Sequence, residues 1–313
     1  MEKINLNNIS LSYETIGQGS DVLFLHGFPS NMYMWNEIKN KLVETGYRVT
    51  IVEQRGYPLS RLENFDVHSF NIEELSKDIE ELIIRLKLDQ NLTIVGHDWG
   101  SIVAWSLTSR EKVNVNKLVS LCGGTEFPIS DVYSNLTYRE KPHYISSFQN
   151  VKESANIIDN NLESFFRSAY RNNNQIGENI DLSLENVFIN YSSESCVMNE
   201  NEIVNLIQHF DETSLDQPIA WYANIDLNSE LSSAWRKIVT TPIHFVFGEV
   251  DAAVKLNNKM RERLMSSGSN VKITEIPGAG HWLPITHRES VFCLLYTSPS
   301  PRDKTPSRMP SSA

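Results

Sequence analysis

The chain has 313 residues, 40% of them hydrophobic and 21% charged, enough apolar material for a large core and too little charge for wholesale disorder. Lys and Arg total 28 against 39 Asp and Glu, and the resulting net charge of −11 argues against nucleic acid or an anionic membrane surface as a partner. No apolar run reaches the roughly 18 residues of a membrane span, and the opening MEKINLNNIS lacks the apolar centre of a secretion leader. Three widely spaced cysteines, Cys122, Cys196 and Cys293, fit reduced thiols rather than a disulfide frame. The eight histidines show no paired spacing with Cys or carboxylates that points to zinc. These features lead us to expect a cytoplasmic protein without metal or cofactor, a monomer or homodimer acting on a small molecule.

Residues 4–13 alternate apolar and polar positions, as one strand of a half-exposed sheet would. Short apolar runs then recur at Val22–Leu25, Val49–Val52, Leu92–Val95, Leu118–Cys122, Ile243–Phe247 and Val271–Ile276. Between them, Met32–Val43, Ile72–Leu88, Ile102–Thr108 and Asn257–Met265 carry apolar residues at three- and four-residue spacing. Strands alternating with helices predict an α/β fold with a mostly parallel central sheet and helices on both faces.

The alternation stops between Phe127 and Trp235, a stretch rich in Asn, Ser and Glu with helical patterns at Ala155–Phe166 and Glu202–Phe210. Residues 127–235 are therefore expected to form a helical cap inserted between a core of residues 1–126 and its continuation at 236–295. A cap over the carboxyl ends of the strands would place the site between the two layers. In the last 18 residues, Tyr296–Ala313, nine are Ser or Pro, which excludes a buried helix or strand. Residues 296–313 read as a disordered tail, either natural or translated vector sequence; the latter would leave the final helix short and part of the sheet uncovered.

The segment Leu92–Ser101, LTIVGHDWGS, runs a buried strand into Gly96-His97-Asp98-Trp99-Gly100 and then a helix. That is the pattern of a nucleophile held on a sharp strand-to-helix turn, with Asp98 where Ser or Cys would serve acyl transfer. A carboxylate there attacks carbon and forms an ester; its commoner use is simply to cap the helix. His26-Gly27-Phe28-Pro29 follows the first buried strand, so the Phe28 and Trp99 N–H groups would converge on one Asp98 oxygen. Two such donors stabilise the oxyanion of ester hydrolysis, and losing one costs about 3–4 kcal/mol. After the last strand, Gly278-Ala279-Gly280-His281-Trp282 offers a histidine to activate water. Asp251, in Gly248-Glu249-Val250-Asp251 after the preceding strand, is the first candidate to orient it, and Glu126 the second.

With these elements in this order, the chain resembles the α/β-hydrolases, and specifically the epoxide hydrolases, over residues 2–295. His143-Tyr144-Ile145-Ser146-Ser147-Phe148-Gln149 and Ala220-Trp221-Tyr222-Ala223-Asn224 are similar to that family's two lid-tyrosine segments. The resemblance implies that Tyr144 and Tyr222 hold the epoxide oxygen and protonate it as the ring opens. It also implies a pocket near His26, Pro29, Trp35, Phe148, Trp221 and Trp282, although aromatic residues such as Trp35, Phe148 and Trp282 serve a core equally well. Arg55-Gly56-Tyr57 matches a family loop, but Pro58 stands where Gly is usual and implies a different backbone path.

Two other functions fit the fold. The motif around His26–Asn31 with Trp35 also resembles the aspartate-nucleophile dehalogenases, which share Asp98, Asp251 and His281. Phe28 in place of Asn, no Arg after the nucleophile, and two lid phenols without use in halide release weigh against that reading. A non-catalytic ligand-binding relative would usually lose part of the constellation, and this chain keeps all of it.

Overall fold

Eight strands form one sheet: β1 (Glu2–Asn5), β2 (Ser10–Gly17), β3 (Ser20–Leu25), β4 (Tyr47–Val52), β5 (Thr93–His97), β6 (Lys117–Leu121), β7 (Ile243–Gly248) and β8 (Val271–Ile276). Their order is β1-β2-β4-β3-β5-β6-β7-β8, with β1 and β2 antiparallel to their neighbours and the other six strands parallel. The computed structural model describes residues 1–6, 8–88, 91–123, 143–171, 183–189, 196–235, 238–251, 253 and 256–296.

All six predicted apolar runs are strands, because each is too short for a buried helix. Alternation along them feeds two cores. Leu23 and Leu25 of β3 join α2 (Ile72–Leu86) and α3 (Trp99–Arg110) on one face. Val22 and Phe24 join α1 (Asn36–Glu44) and the last helix, Arg288–Tyr296, on the other. That last helix buries Val291 and Leu295, so the sheet is covered there even in so short a helix. Side chains of this size stabilise by about 1.5–3 kcal/mol each when fully buried.

The predicted single strand over 4–13 is instead the β1–β2 hairpin, closed by Leu6 N–H donating to the Ile9 carbonyl at 2.8 Å. Asparagines favour turns, and the same alternation serves both arms. Met32–Val43 divides into a 3₁₀ turn at Met32–Trp35 and α1. Ala155–Phe166 divides into the helices Val151–Asp159 and Leu162–Ala169, interrupted at Asn160 and Asn161.

Between β6 and β7 the described residues form no strand. Their main helices are Val151–Asp159, Leu162–Ala169, Glu200–Asp211, Asp216–Ala223 and Ile225–Ser232, with a π-helical turn at Glu185–Ile189. Phe165, Phe166, Phe210 and Trp221 from this insertion are buried in the α2–α3 core. Polar ties fix it to the sheet loops: Trp221 Nε1 donates to the Arg55 carbonyl at 3.1 Å, and Tyr170 Oη donates to the Pro29 carbonyl at 3.0 Å. The expected boundary at 127 and the tail from 297 onward lie outside the described residues.

The chain leaves β3 for β4 on one side and reaches β5 on the other, so a crevice opens at the carboxyl ends of β3 and β5. Arg55, buried beside it, meets Asp78 through Nε and Nη2, both at 2.6 Å. Pro58 sits in a turn closed by Ser60 N–H to the Tyr57 carbonyl at 2.8 Å, a path that needs no N–H from proline. Replacing Arg55 with Leu strands the buried Asp78 carboxylate and should cost about 3–5 kcal/mol in denaturant unfolding. The Arg55→Leu/Asp78→Leu pair should recover much of that loss. Equal losses in the single and double variants would show that the charge pairing is not what holds this corner.

Candidate active site

Asp98 lies between β5 and α3 with φ 53° and ψ −122°, a conformation that costs a non-glycine residue about 1–3 kcal/mol. Its backbone is held there by Asp98 N–H to the Leu121 carbonyl at 3.0 Å and Ser101 N–H to the Asp98 carbonyl at 2.9 Å. The sharp turn also brings backbone against backbone. A Cβ at Gly96 would strike the Gly100 backbone, and one at Gly100 would strike the Leu25 and His26 carbonyls. An aspartate used as a helix cap would accept from the second or third N–H of the helix. Asp98 makes no such capping bond. Its Oδ1 accepts instead from Phe28 N–H at 2.8 Å, and the Trp99 N–H also donates to the carboxylate.

His281 Nε2 stands 3.7 Å from Asp98 Oδ2, beyond direct hydrogen-bond range. On the other side of the ring, Nδ1 is 3.2 and 3.1 Å from the two Asp251 oxygens. Ala253 N–H donates to Asp251 Oδ1 at 2.8 Å, and the Cys122 thiol donates to the same carboxylate. The second candidate acid, Glu126, lies outside the described residues.

Burial shapes the charges. It pushes the Asp98 carboxyl upward, opposed by the His281 charge and the Phe28 and Trp99 N–H groups, and the balance stays raised. For Asp251, burial also pushes upward, but the His281 charge and hydrogen bond outweigh it and hold the carboxyl low. Burial pulls His281 downward, yet the charge and hydrogen bond of Asp251, with the Asp98 charge, leave it raised. One carboxylate orients the imidazole while the other lies open to its far nitrogen.

Tyr144 and Tyr222 come together above this group, with ring centroids 6.2 Å apart. The Tyr222 ring packs edge-on to Trp99 at 5.0 Å and to Phe28 at 5.3 Å, the two residues whose N–H groups meet Asp98. Burial raises the Tyr144 phenol well above the usual range, and the Asp98 and Asp251 charges add to it, so the phenol keeps its proton. Phe148 and Phe188 flank Tyr144 edge-on at 5.5 and 5.2 Å.

The other predicted pocket residues divide. Phe148 lies in the aromatic group, 5.0 Å from Tyr222. Trp282 stacks on Tyr170 at 4.0 Å and donates Nε1 to the Ala169 carbonyl, and the Pro29 carbonyl is taken by Tyr170. Trp221 is fully buried, edge-on to Trp99 at 5.8 Å. His26 is also fully buried, its Nε2 accepting from Gln54 N–H at 3.1 Å, so it braces the turn before Phe28 and does not face a ligand. Trp35 is a correction: it packs on Phe24 at 4.6 Å in the core on the opposite face of the sheet. Its place on a turn leading into α1 decides this, since an isolated tryptophan carries no mark of which sheet face it covers.

Sequence reasoning passed over His97, Cys122, Phe165 and Phe188. His97 is fully buried and donates Nε2–H to the His281 carbonyl at 2.9 Å. Burial and the His281 charge pull it down to about 3, so it is neutral. Its position inside the Gly96–Gly100 motif was the available signal. Phe188 sits in a stretch without periodicity and offered none.

The alpha/beta hydrolase fold family model matches residues 22–288. Pig (Sus scrofa) bifunctional epoxide hydrolase 2 is 25% identical over 292 residues, which cover 88% of this chain and 51% of that protein. The chain thus spans about half the length of such bifunctional relatives. Epoxide hydrolase A of Mycobacterium tuberculosis is 25% identical over 300 residues, 90% of this chain and 91% of that one. A Vigna radiata epoxide hydrolase mutant shares the fold with a TM-score of 0.82 at 21% identity, covering 94% of this chain and 96% of that one. Among the described residues, no helix is long and apolar enough to cross a membrane.

Because Asp251 holds the His281 proton, Asp251→Asn should move the His281 titration downward, as followed by NMR of the imidazole protons. A folded value above the usual 6.5 contributes stability that is present below 6.5 and is lost as pH rises through the raised folded value. The variant should therefore lose less stability than the wild type over that rise. An unmoved titration would mean that Asp251 is not the partner that matters.

Proposed function

The chain belongs to the alpha/beta hydrolase fold family, and on that premise we propose that it is an epoxide hydrolase, converting an epoxide and water to a vicinal diol. The observation that carries this reading is the shared focus of three kinds of group on one carboxylate. Asp98 meets two backbone N–H donors and faces His281 Nε2 at 3.7 Å, and Tyr222, with Tyr144 beside it, packs on the two residues that supply those donors. Acyl transfer and halide release have no use for paired phenols.

Asp98 Oδ2 is the attacking atom, since Oδ1 is held by the Phe28 N–H. It bonds to one epoxide carbon as that carbon–oxygen bond breaks, and the electron pair moves to the epoxide oxygen. Tyr144 or Tyr222 supplies the proton, a role that typically contributes about 10²–10⁴-fold. His281, oriented by Asp251, then takes a proton from water, and the hydroxide adds to the Asp98 carboxyl carbon of the ester. The oxyanion forms at Oδ1 under the Phe28 and Trp99 N–H groups. Collapse breaks the bond from the carboxyl carbon to Oδ2, the leaving alkoxide takes back the proton held by His281, and the diol departs with Oδ2. The water oxygen stays in Asp98, whose remaining proton returns to the tyrosinate. The helical insertion acts as the cap that brings the phenols and excludes solvent, with Phe148 in the apolar wall.

A single turnover with enzyme in excess over styrene oxide in ¹⁸O-water tests this. Diol should form, and peptide mapping should find the label in Asp98; Asp98→Asn should form none. Tyr144→Phe and Tyr222→Phe should each slow ester formation about 10²-fold or more. Halide release from bromoalkanes by a folded enzyme that makes no diol would overturn the reading.

A further inference from the structure

A second group of donors includes the candidate triad histidine itself. His97, Cys122 and His281 each present one ligand atom, and these atoms all lie within 4.8 Å of one another. All three residues are buried. They come from the ends of different strands: His97 closes β5, Cys122 follows β6, and His281 follows β8. We propose that they form a binding site for a thiophilic divalent cation such as zinc, and that occupation of the site switches the hydrolase off.

Three observations carry this. His97 donates Nε2–H to the His281 carbonyl, so its Nδ1 bears a lone pair, and that atom has no hydrogen-bond partner among the described residues. Buried polar atoms are rarely left so, and a neutral imidazole lone pair is what a metal takes. Cys122 adopts φ 49°, an uncommon conformation for a non-glycine residue, with its N–H donating to the Val246 carbonyl at 2.9 Å. The thiol is thereby held in place beside Asp251. Asp251 touches both Cys122 and His281, and its carboxylate supplies negative charge beside the cation.

Tetrahedral zinc with sulfur and imidazole ligands requires donors about 3.5 Å apart, so side chains now spread over as much as 4.8 Å must draw inward. On binding, the Cys122 S–H bond breaks and the sulfur–metal bond forms, the coordinating nitrogen of His281 gives up any proton it carries, and these protons leave to solvent; no electrons are exchanged. His281 becomes a ligand and can no longer take a proton from water. Binding requires only the donor set, whereas the loss of turnover rests on the reading of His281 as the water-activating base.

Cobalt(II) added to the full-length protein reads the site directly, and zinc titrated against epoxide turnover reads its consequence. One cobalt per chain should produce a thiolate-to-cobalt charge-transfer band. Zinc should lower turnover more than tenfold, and a chelator should restore it. Cys122→Ser should abolish the band and raise the zinc concentration for half-inhibition, measured against its own zinc-free rate, at least tenfold. Cys196→Ser and Cys293→Ser should retain both effects. Absence of the band in the wild type overturns the proposal without recourse to any variant, and so does a band that survives Cys122→Ser. A band in a protein that turns over no epoxide before metal is added supports the site and removes the hydrolase reading.

Discussion

Phe28 and Asp98 follow neighbouring parallel strands, and the 2.8 Å hydrogen bond from the Phe28 N–H to Asp98 Oδ1 joins the loop after β3 to the turn after β5. The bond spans the crevice where the chain changes direction across the sheet. It decides which carboxylate oxygen is held and which faces His281. The surroundings serve this geometry. Gly96 and Gly100 allow the sharp turn, Tyr57 Oη donates to the Gly27 carbonyl at 3.2 Å, and His26 ties the same loop to Gln54. Backbone strain at Asp98 persists because each of these contacts opposes relaxation toward an ordinary helix start.

Around that bond the chain gathers charge inside an aromatic shell. Asp98, Asp251 and His281 sit where water screens them little, so each strongly shifts its neighbours. Phe28, Phe148, Trp99 and Tyr222 surround them in edge-to-face contacts that bury apolar area and hold the phenol-bearing rings in fixed orientation. The same burial keeps His97 neutral. A site of this kind acts through groups whose directions are set before a substrate arrives.

Asp98 and His281 stood out as candidates because their signals are local: glycines around one residue after an apolar run, and a glycine-bounded histidine after another. Asp251 became a candidate through chain order, and Tyr144 and Tyr222 through the resemblance of their segments. Trp35 was misplaced because strand and helix periodicity mark burial without marking the face. The hairpin β1–β2 was read as one strand because both arms share a two-residue alternation. His97, Cys122 and His281 showed no metal-ligand spacing, since parallel strands with crossover connections bring together residues far apart in the chain.

What the sequence determined by itself was the alternation of apolar runs and amphipathic helices, and with it a mostly parallel sheet whose strand ends carry the candidate residues. Those features follow from short-range rules, the two-residue and 3.6-residue periods and the glycines that a tight turn demands. Only the tertiary structure decided that Asp98 Oδ1 meets Phe28, that Trp35 covers the far face, and that Cys122 stands against Asp251 and among the donors of His97 and His281. Each of those contacts joins separate strands or layers, and strand order and packing, which no local pattern encodes, set their distances.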